Sequence, residues 1–402
     1  QFSVFIAAVY SLLKEYNRNC LSRMAAKTNY DYEAFQYFFS DARWKTDELN
    51  TKRLKVIENQ RTTASTPSGV LVIDDTSSPK PHAKSTEGAR YQYCSVLGRE
   101  EVCNVAVASA FSSSSKYFPI NLKFYKPEAE FKYGKYDDGF KSKIELAKEL
   151  VLDAVDKRIK FKNIVFDSWY TSTDFLTFLS SLNLTFVADL KPNRCVLFYH
   201  PVERRHCWIQ QNELVKLVRS YYPHKLKPVT VSYQGGYERK FFSYSFKSRL
   251  KECSVKVKVI LLFGDFCDED SKSIHLIVTN DLNSYVPTIV SQYSLRWGIE
   301  RIFKELKDTF CFDQYQVRHK KQIERYWMLC FIAWTLVYWV RQNGCLSKTV
   351  DRELSSFNDY KKAIDSILVL SSSAAISKNG DYVFMLYGIK SKNIKKMIGL
   401  HA

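Results

Sequence analysis

The chain has 402 residues and a formal net charge of +18, from 60 Lys and Arg against 42 Asp and Glu. Hydrophobic residues make up 46% and aromatic residues 15% of the sequence, which excludes an intrinsically disordered chain and allows a sizeable core. A strongly basic chain favours a polyanionic partner, with nucleic acid first and a membrane surface second.

Two further features concern the compartment. The ten cysteines are scattered without a Cys-x2-Cys pair in a lysine-rich sequence with no recognisable signal peptide, so we expect reduced thiols in a cytosolic protein. The apolar run at residues 326–340 is shorter than the roughly 20 residues that span a bilayer. It is therefore predicted to be a buried helix.

Residues 1–66 are predicted to form a mostly helical N-terminal region. Phe5, Val9 and Leu12 recur at helical spacing, and residues 45–59 predict another helix. The Thr-, Ser- and Pro-rich residues 61–68 indicate a linker to the next unit.

Residues 67–190 are predicted to form the first part of an α/β core. Three strand-like hairpin segments are followed by a helix, a strand, a helix and a strand, the element order of the ribonuclease-H-like fold. In that fold the first and fourth strands lie side by side. The first strand ends in Asp74 and Asp75 and the fourth in Asp167, so we expect these acids to approach one another.

The remaining chain divides into three predicted units. Residues 191–287 alternate apolar and polar residues in several runs and predict a β-rich insertion. Residues 288–345 are expected to complete the core with one further helix that carries a carboxylate. Residues 346–402 form a C-terminal tail region with a basic end.

Residues 293–307, reading YSLRWGIERIFKELK, predict that helix. At about 100° per residue, its polar side chains share one side and its apolar side chains the other. The polar side holds Tyr293, Arg296, Glu300, Lys304 and Lys307. A stripe of this kind is often only a solvated face, so the charges alone do not assign a function.

The order Tyr-x2-Arg-x3-Glu-x6-Lys in this helix resembles the Tyr-Arg-Glu-Lys signature of the DDE transposases of the insertion-sequence 4 group. Residues 73–80, IDDTSSPK, and residues 89–98, ARYQYCSVLG, resemble the insertion-sequence 701 type, as does the helical segment 22–44. The resemblance covers roughly residues 20–340.

This resemblance implies a DNA transposase that binds terminal inverted repeats and catalyses metal-dependent strand cleavage and strand transfer. Its catalytic, metal-binding acids would be Asp75, Asp167 and Glu300, with Asp74 as the alternative register for the first acid. The cofactors would be two Mg²⁺ or Mn²⁺ ions, which can serve both ends of an in-line displacement at phosphorus.

The resemblance also implies that Tyr293, Arg296, Lys304 and Lys307 contact DNA. The partners would be double-stranded DNA, as transposon ends and target, and a second copy of the chain in a synaptic complex, with no membrane. The expected location is the bacterial cytoplasm, on DNA. Residues 1–66 would either bind DNA ends or only pack on the core.

Two alternatives remain at this point. One is a ribonuclease-H-like nuclease or resolvase without strand transfer. The other is a domesticated DNA-binding protein that no longer cuts, although such a protein has no need of all three acids.

Overall fold

A computed structural model describes residues 1–14, 20–232, 238–264, 274–344, 346 and 354–374. Most of the predicted tail region, including its basic end, lies outside these residues. The helices are α1 (Phe2–Lys14), α2 (Leu21–Ala26), α3 (Tyr32–Ser40), α4 (Thr46–Glu58), α5 (Lys143–Asp156), α6 (Thr173–Ser181), α7 (Gln211–Tyr221), α8 (Val286–Ser294), α9 (Trp297–Phe310), α10 (Lys320–Gln342) and α11 (Phe357–Ala374). The strands are β1 (Val70–Pro79), β2 (Arg90–Cys94), β3 (Arg99–Ser112), β4 (Tyr117–Tyr125), β5 (Asn163–Phe166), β6 (Phe186–Asp189), β7 (Val196–His200), β8 (Arg205–Ile209), β9 (Lys227–Ser232), β10 (Glu238–Arg249), β11 (Lys256–Phe263) and β12 (Ile274–Thr279).

Within the described residues, ten strands form one mixed sheet in the order β2-β3-β1-β5-β6-β12-β11-β10-β9, with β4 paired to β3. Strand β3 runs antiparallel to both β1 and β4. Strands β1, β5 and β6 are parallel neighbours, joined by the crossover helices α5 and α6. This part of the sheet, β4-β3-β1-β5-β6 with its helices, has the ribonuclease-H-like arrangement predicted from the sequence.

The central strands follow from short apolar runs. Val70 to Ile73 and Ile164 to Phe166 are fully buried, as expected for parallel strands covered on both faces. Ile73 pairs with Phe166, so the next residues, Asp74 and Asp167, lie at the same level. Strand β5 ends there, but the prediction that the first strand ends at Asp74 and Asp75 is wrong, because β1 continues to Pro79 beside β3. Helix α5 begins with a capping box in which Ser142 and Glu145 bond each other's backbone N–H groups, and this fixes where the helix starts.

The β-rich segment after β6 is continuous with the core sheet. Strand β12 pairs antiparallel with β6, and β11, β10 and β9 extend the same sheet beyond it. Strands β7 and β8 form a separate two-stranded hairpin. The predicted insertion therefore extends the core sheet beyond β6 and shares its hydrophobic core.

The N-terminal helices share the core as well. Arg53 of α4 is fully buried and donates hydrogen bonds to Asn50, to the Pro119 and Ile120 carbonyls of β4, and to Thr335 of α10. These hydrogen bonds offset part of the free-energy cost of burying the guanidinium. One side chain thus joins the helical region, the sheet and α10.

A second buried arginine fixes the end of α3. Arg325 of α10 donates to the carbonyl oxygens of Phe38, Phe39, Ala42 and Trp44. These include carbonyls at a helix C-terminus, which have no partner within the helix. Helix α10 itself is largely buried, which confirms the helix expected at residues 326–340. None of the described helices is long and apolar enough to cross a membrane.

The prediction of one continuous helix over residues 293–307 is wrong. Helix α8 ends at Ser294 and α9 begins at Trp297. Between them the backbone N–H of Arg296 bonds the carbonyl of Tyr293 at 3.0 Å, and that of Gly298 bonds Leu295 at 3.0 Å. These bonds from residue i to residue i−3 form a short 3₁₀ connection between the two helices. The apolar periodicity of the sequence continues through this connection and therefore does not predict it.

Gly298 lets α9 lie directly on β3. A Cβ atom at this position would be 2.2 Å from Ser112 Oγ and 2.7 Å from Ser112 Cβ. We expect Gly298→Ala to lower the free energy of unfolding by about 1–3 kcal/mol, because overpacking outweighs the better helix propensity of alanine. Thermal or urea unfolding measures this.

Gly139→Ala is the matched control, because the nearest atom to its added Cβ would be 3.4 Å away, an ordinary contact. Equal stability of Gly298→Ala and the parent protein would show that α9 does not approach β3 this closely.

Candidate active site

Residues 74–76 of β1, Asp167 after β5 and one side of α9 line an open cavity of about 580 Å³. The structure brings into it all three predicted acids, the register alternative and three of the predicted DNA-binding residues. These are Asp74, Asp75, Asp167, Glu300, Arg296, Lys304 and Lys307. The fourth, Tyr293, lines an adjoining cavity of about 660 Å³ that also contains Arg296, Glu300 and Lys304.

Arg296 links two of the acids. Its Nη1 lies 3.2 Å from Asp74 Oδ2, and its Nη2 lies 2.6 Å from Glu300 Oε1. The Arg296 side chain is only 15% exposed. Arg296 therefore lies inside the site, between β1 and α9, and is not part of a solvated stripe.

Asp75 has different partners, because successive side chains of a strand point to opposite faces. Its Oδ2 accepts from Lys143 Nζ at 3.0 Å, and its Oδ1 accepts from the Tyr170 hydroxyl at 3.2 Å. Neither Lys143 nor Tyr170 was singled out from the sequence. In the sequence, Lys143 is marked only by its position directly after the helix cap Ser142. Tyr170 is marked only by its position three residues after Asp167.

Asp167 lies among the other acids. Its Oδ1 accepts the backbone N–H of Trp169 at 2.9 Å. Its negative charge repels the negative charges of Asp74, Asp75 and Glu300. Four carboxyl groups thus share one small space.

Burial dominates the electrostatics of these acids. It raises the pKa of Asp74 to about 7, with Arg296 opposing the rise and Asp167 adding to it. Burial also raises the pKa of Asp167 and of Glu300, again against the attraction of Arg296. A group of desolvated acids has a high affinity for any cation that can reach it.

The predicted DNA-binding residues differ in accessibility. Lys304 is exposed, whereas Lys307 and Tyr293 are half-buried. Burial lowers the pKa of the Lys307 ammonium and raises the pKa of the Tyr293 phenol. A phosphate beside Lys307 would favour its charged form, because an opposite charge nearby offsets the cost of burial.

The donor set of the cavity fits a divalent cation. Carboxylate oxygens are the ligands that Mg²⁺ and Mn²⁺ prefer, and the burial of these acids favours an added positive charge. Within the described part of the chain, no three Asp, Glu, His or Cys side chains converge closely enough to hold an ion as they stand.

The adjoining cavity contains polar residues that the sequence analysis missed. Asp189 and His275 line it, together with Arg239 of β10 and Arg301 of α9. The pairing of β6 with β12 brings Asp189 and His275 together, and no sequence spacing predicts that pairing. This cavity extends the basic surroundings of the acids along α9.

In this ribonuclease-H-like core, the acids of the first strand lie beside the acid that follows the fourth strand. Residues 134–336, just over half of the chain, match the family model described as the transposase DDE domain, and residues 7–206 match that of the DDE superfamily endonucleases. The chain therefore belongs to the DDE transposase family, whose members act on DNA and generally use divalent metal ions.

Other comparisons are weaker. No curated protein sequence matches the chain. The NurA nuclease from Sulfolobus solfataricus is 9% identical, with a TM-score of 0.30 over 80% of this chain and 95% of that one. The Drosophila P element transposase strand transfer complex is 11% identical, with a TM-score of 0.17 over 91% of this chain and 85% of that one. Both TM-scores are low, so the family assignment rests on the sequence models.

The role of Arg296 inside the site can be tested by stability. We expect Arg296→Ala to lower the free energy of unfolding by about 2–3 kcal/mol, because it leaves Asp74 and Glu300 without their shared counter-charge. Lys304→Ala, on the exposed side of α9, should change it by no more than about 0.5 kcal/mol. If both substitutions change the free energy of unfolding by a similarly small amount in urea without metal ions, Arg296 is a solvent-facing residue.

The raised pKa of Asp74 predicts a pH dependence. The folded state holds this proton up to about pH 7, whereas an unfolded Asp releases it near its ordinary value of 3.8, so the carboxyl destabilises the fold increasingly as pH rises between these values. The melting temperature of the parent relative to Asp74→Asn should therefore fall from pH 4 to pH 7 and then level off.

Asp281→Asn serves as the control for this measurement. Burial would raise the pKa of Asp281, but hydrogen bonds from Ser284 and Asn283 lower it overall, so its effect should be constant above pH 4. If the difference in melting temperature between the parent and Asp74→Asn stays constant from pH 4 to pH 7, the raised pKa of Asp74 is contradicted. All samples contain a chelator.

Proposed function

We propose that the chain is a transposase of the insertion-sequence 4 and 701 type. It binds the terminal inverted repeats of its element, cleaves the DNA there and transfers the freed strand to target DNA. The observation that supports this most strongly is the shared cavity, in which Asp75, Asp167 and Glu300 meet the Arg and Lys positions of the Tyr-Arg-Glu-Lys signature.

In this proposal Asp75, Asp167 and Glu300 hold two divalent ions, Mg²⁺ or Mn²⁺. The bound ions would activate the attacking water or 3′-hydroxyl and stabilise the leaving oxygen. The chain's own contribution is to bring carboxylates from β1, β5 and α9 to the lining of one cavity.

Asp74 has a separate role in the proposal. It anchors Arg296 at 3.2 Å on the α9 side of β1, while Asp75 projects to the other side towards Lys143. A buried arginine held by one acid can exchange Glu300 for a DNA phosphate without leaving the site. The guanidinium is suited to this exchange because it forms paired hydrogen bonds with carboxylate and phosphate alike.

The remaining predicted DNA-binding residues would hold the DNA backbone. Lys304 is exposed at the cavity mouth, and Lys307 and Tyr293 lie deeper on the same side of α8 and α9. Transposition joins two element ends, so we propose that two copies of the chain act together, each holding one end and its cavity. Residues 1–66 would contribute to binding those ends.

The proposal is tested by cleavage. The chain is incubated with oligonucleotides carrying the DNA ends that flank its own gene, in Mg²⁺ or Mn²⁺, and the cut strands are mapped. Asp75→Asn, Asp167→Asn and Glu300→Gln should each reduce cleavage to background while the melting temperature shows a folded protein. Asp74→Asn should keep measurable cleavage, because it removes an anchor and not a metal ligand.

Asp174→Asn on the exposed start of α6 is the control and should cut like the parent. Loss of cleavage in Asp74→Asn with retention in Asp75→Asn would shift the first metal ligand to Asp74. Normal cleavage by all three triad variants would remove the mechanism, and cleavage without joined products would indicate a nuclease that performs no strand transfer.

A further inference from the structure

Trp169 is an exposed aromatic side chain at the edge of the candidate site. It follows Asp167 by two residues, and its backbone N–H donates to Asp167 Oδ1 at 2.9 Å. Its side chain is 42% exposed. The indole therefore stands beside one of the proposed metal ligands and is open to solvent.

Two neighbours fix the orientation of the indole. The Lys143 ammonium lies over the ring, 5.1 Å from its centroid, and the same ammonium bonds Asp75. The ring of Tyr170 meets it at 71° with a centroid separation of 4.9 Å, and the Tyr170 hydroxyl also bonds Asp75. Trp169 is thus connected to Asp167 by its own backbone and to Asp75 through Lys143 and Tyr170.

Single exposed aromatic residues are ordinary on protein surfaces and need no function. Trp208 of β8, 44% exposed on the separate hairpin, is one example. Trp169 differs because Lys143 covers one side of the ring and Tyr170 contacts it at a steep angle. The exposed part is therefore held in a fixed position relative to the acids.

We propose that Trp169 stacks on the nucleobase next to the phosphate that the acids hold. This inference rests on the proposed function and adds a residue that binds the substrate base. An aromatic face accepts any of the four bases, so the contact would position the DNA strand without selecting its sequence. Lys143 would keep the indole in place and contribute positive charge near the strand.

The test is a binding cycle that needs neither metal nor cleavage. Oligonucleotides with the DNA ends flanking the gene carry one abasic position, moved along each strand across the end, and affinity is measured in chelator. Trp169→Ala should weaken binding to the intact oligonucleotide by about 5- to 150-fold, the range found for loss of one stacked base. At one abasic position, Trp169→Ala and the parent should bind equally, because the partner base is already gone.

Two further measurements separate stacking from other effects. Trp169→Phe should recover much of the affinity, and Trp169→Ala should leave the slope of log affinity against log salt unchanged, since no phosphate contact is lost. Trp208→Ala is the control for an exposed tryptophan elsewhere and should show no dependence on the abasic position. Melting temperatures confirm that each variant is folded.

The inference is overturned if Trp169→Ala binds the intact oligonucleotide like the parent, or if its loss of affinity persists at every abasic position. A flatter salt slope for Trp169→Ala would also overturn it, because the side chain would then act through a phosphate. Failure of the proposed function shows separately, as no cleavage in Mg²⁺ or Mn²⁺ by a parent protein that still passes the binding cycle.

Discussion

The gathering of four carboxyl groups around one cavity is the constraint on which the site depends. Asp74, Asp75, Asp167 and Glu300 come from two adjacent parallel strands and one later helix, and burial raises the pKa of three of them. Arg296 and Lys143 supply the compensating charge from opposite sides of β1. Without cations, close packing of these elements would be opposed by both desolvation and repulsion.

This arrangement connects the fold to the chemistry of the family. The parallel pair β1 and β5 sets Asp74 and Asp167 at the same level, and the contact of Gly298 with Ser112 sets how near α9 lies to β3. Arg296 bonds Glu300 and Lys143 bonds Asp75, so both side chains occupy oxygens that a metal-dependent nuclease would offer to its metal ions. Binding of ions and DNA would then be an exchange of partners within an existing charge balance.

The sequence predicted the core well where local signals were strong. Val70 to Ile73 and Ile164 to Phe166 are apolar runs that end in acids, and a capping box marks the start of α5, so element type and order could be inferred. The break between α8 and α9 could not, because 3₁₀ bonds leave the apolar periodicity intact. The bond from Lys143 to Asp75 spans 68 positions and depends on how α5 crosses the sheet, which no local pattern encodes. The roles assigned to Asp75, Asp167 and Glu300 remain predictions.

The buried arginines that join the N-terminal helices to α10 have a consequence for how the chain is made. Arg53 bonds Thr335 across 282 positions, and Arg325 bonds Phe39 across 286. At a synthesis rate of about 5–20 residues per second, helices α1 to α4 leave the ribosome roughly 15–60 s before their partner exists. During that interval Phe35, Phe38 and Phe39 lack the surface that covers them in the finished protein. The nascent N-terminal region is thus a natural client for chaperones until α10 emerges.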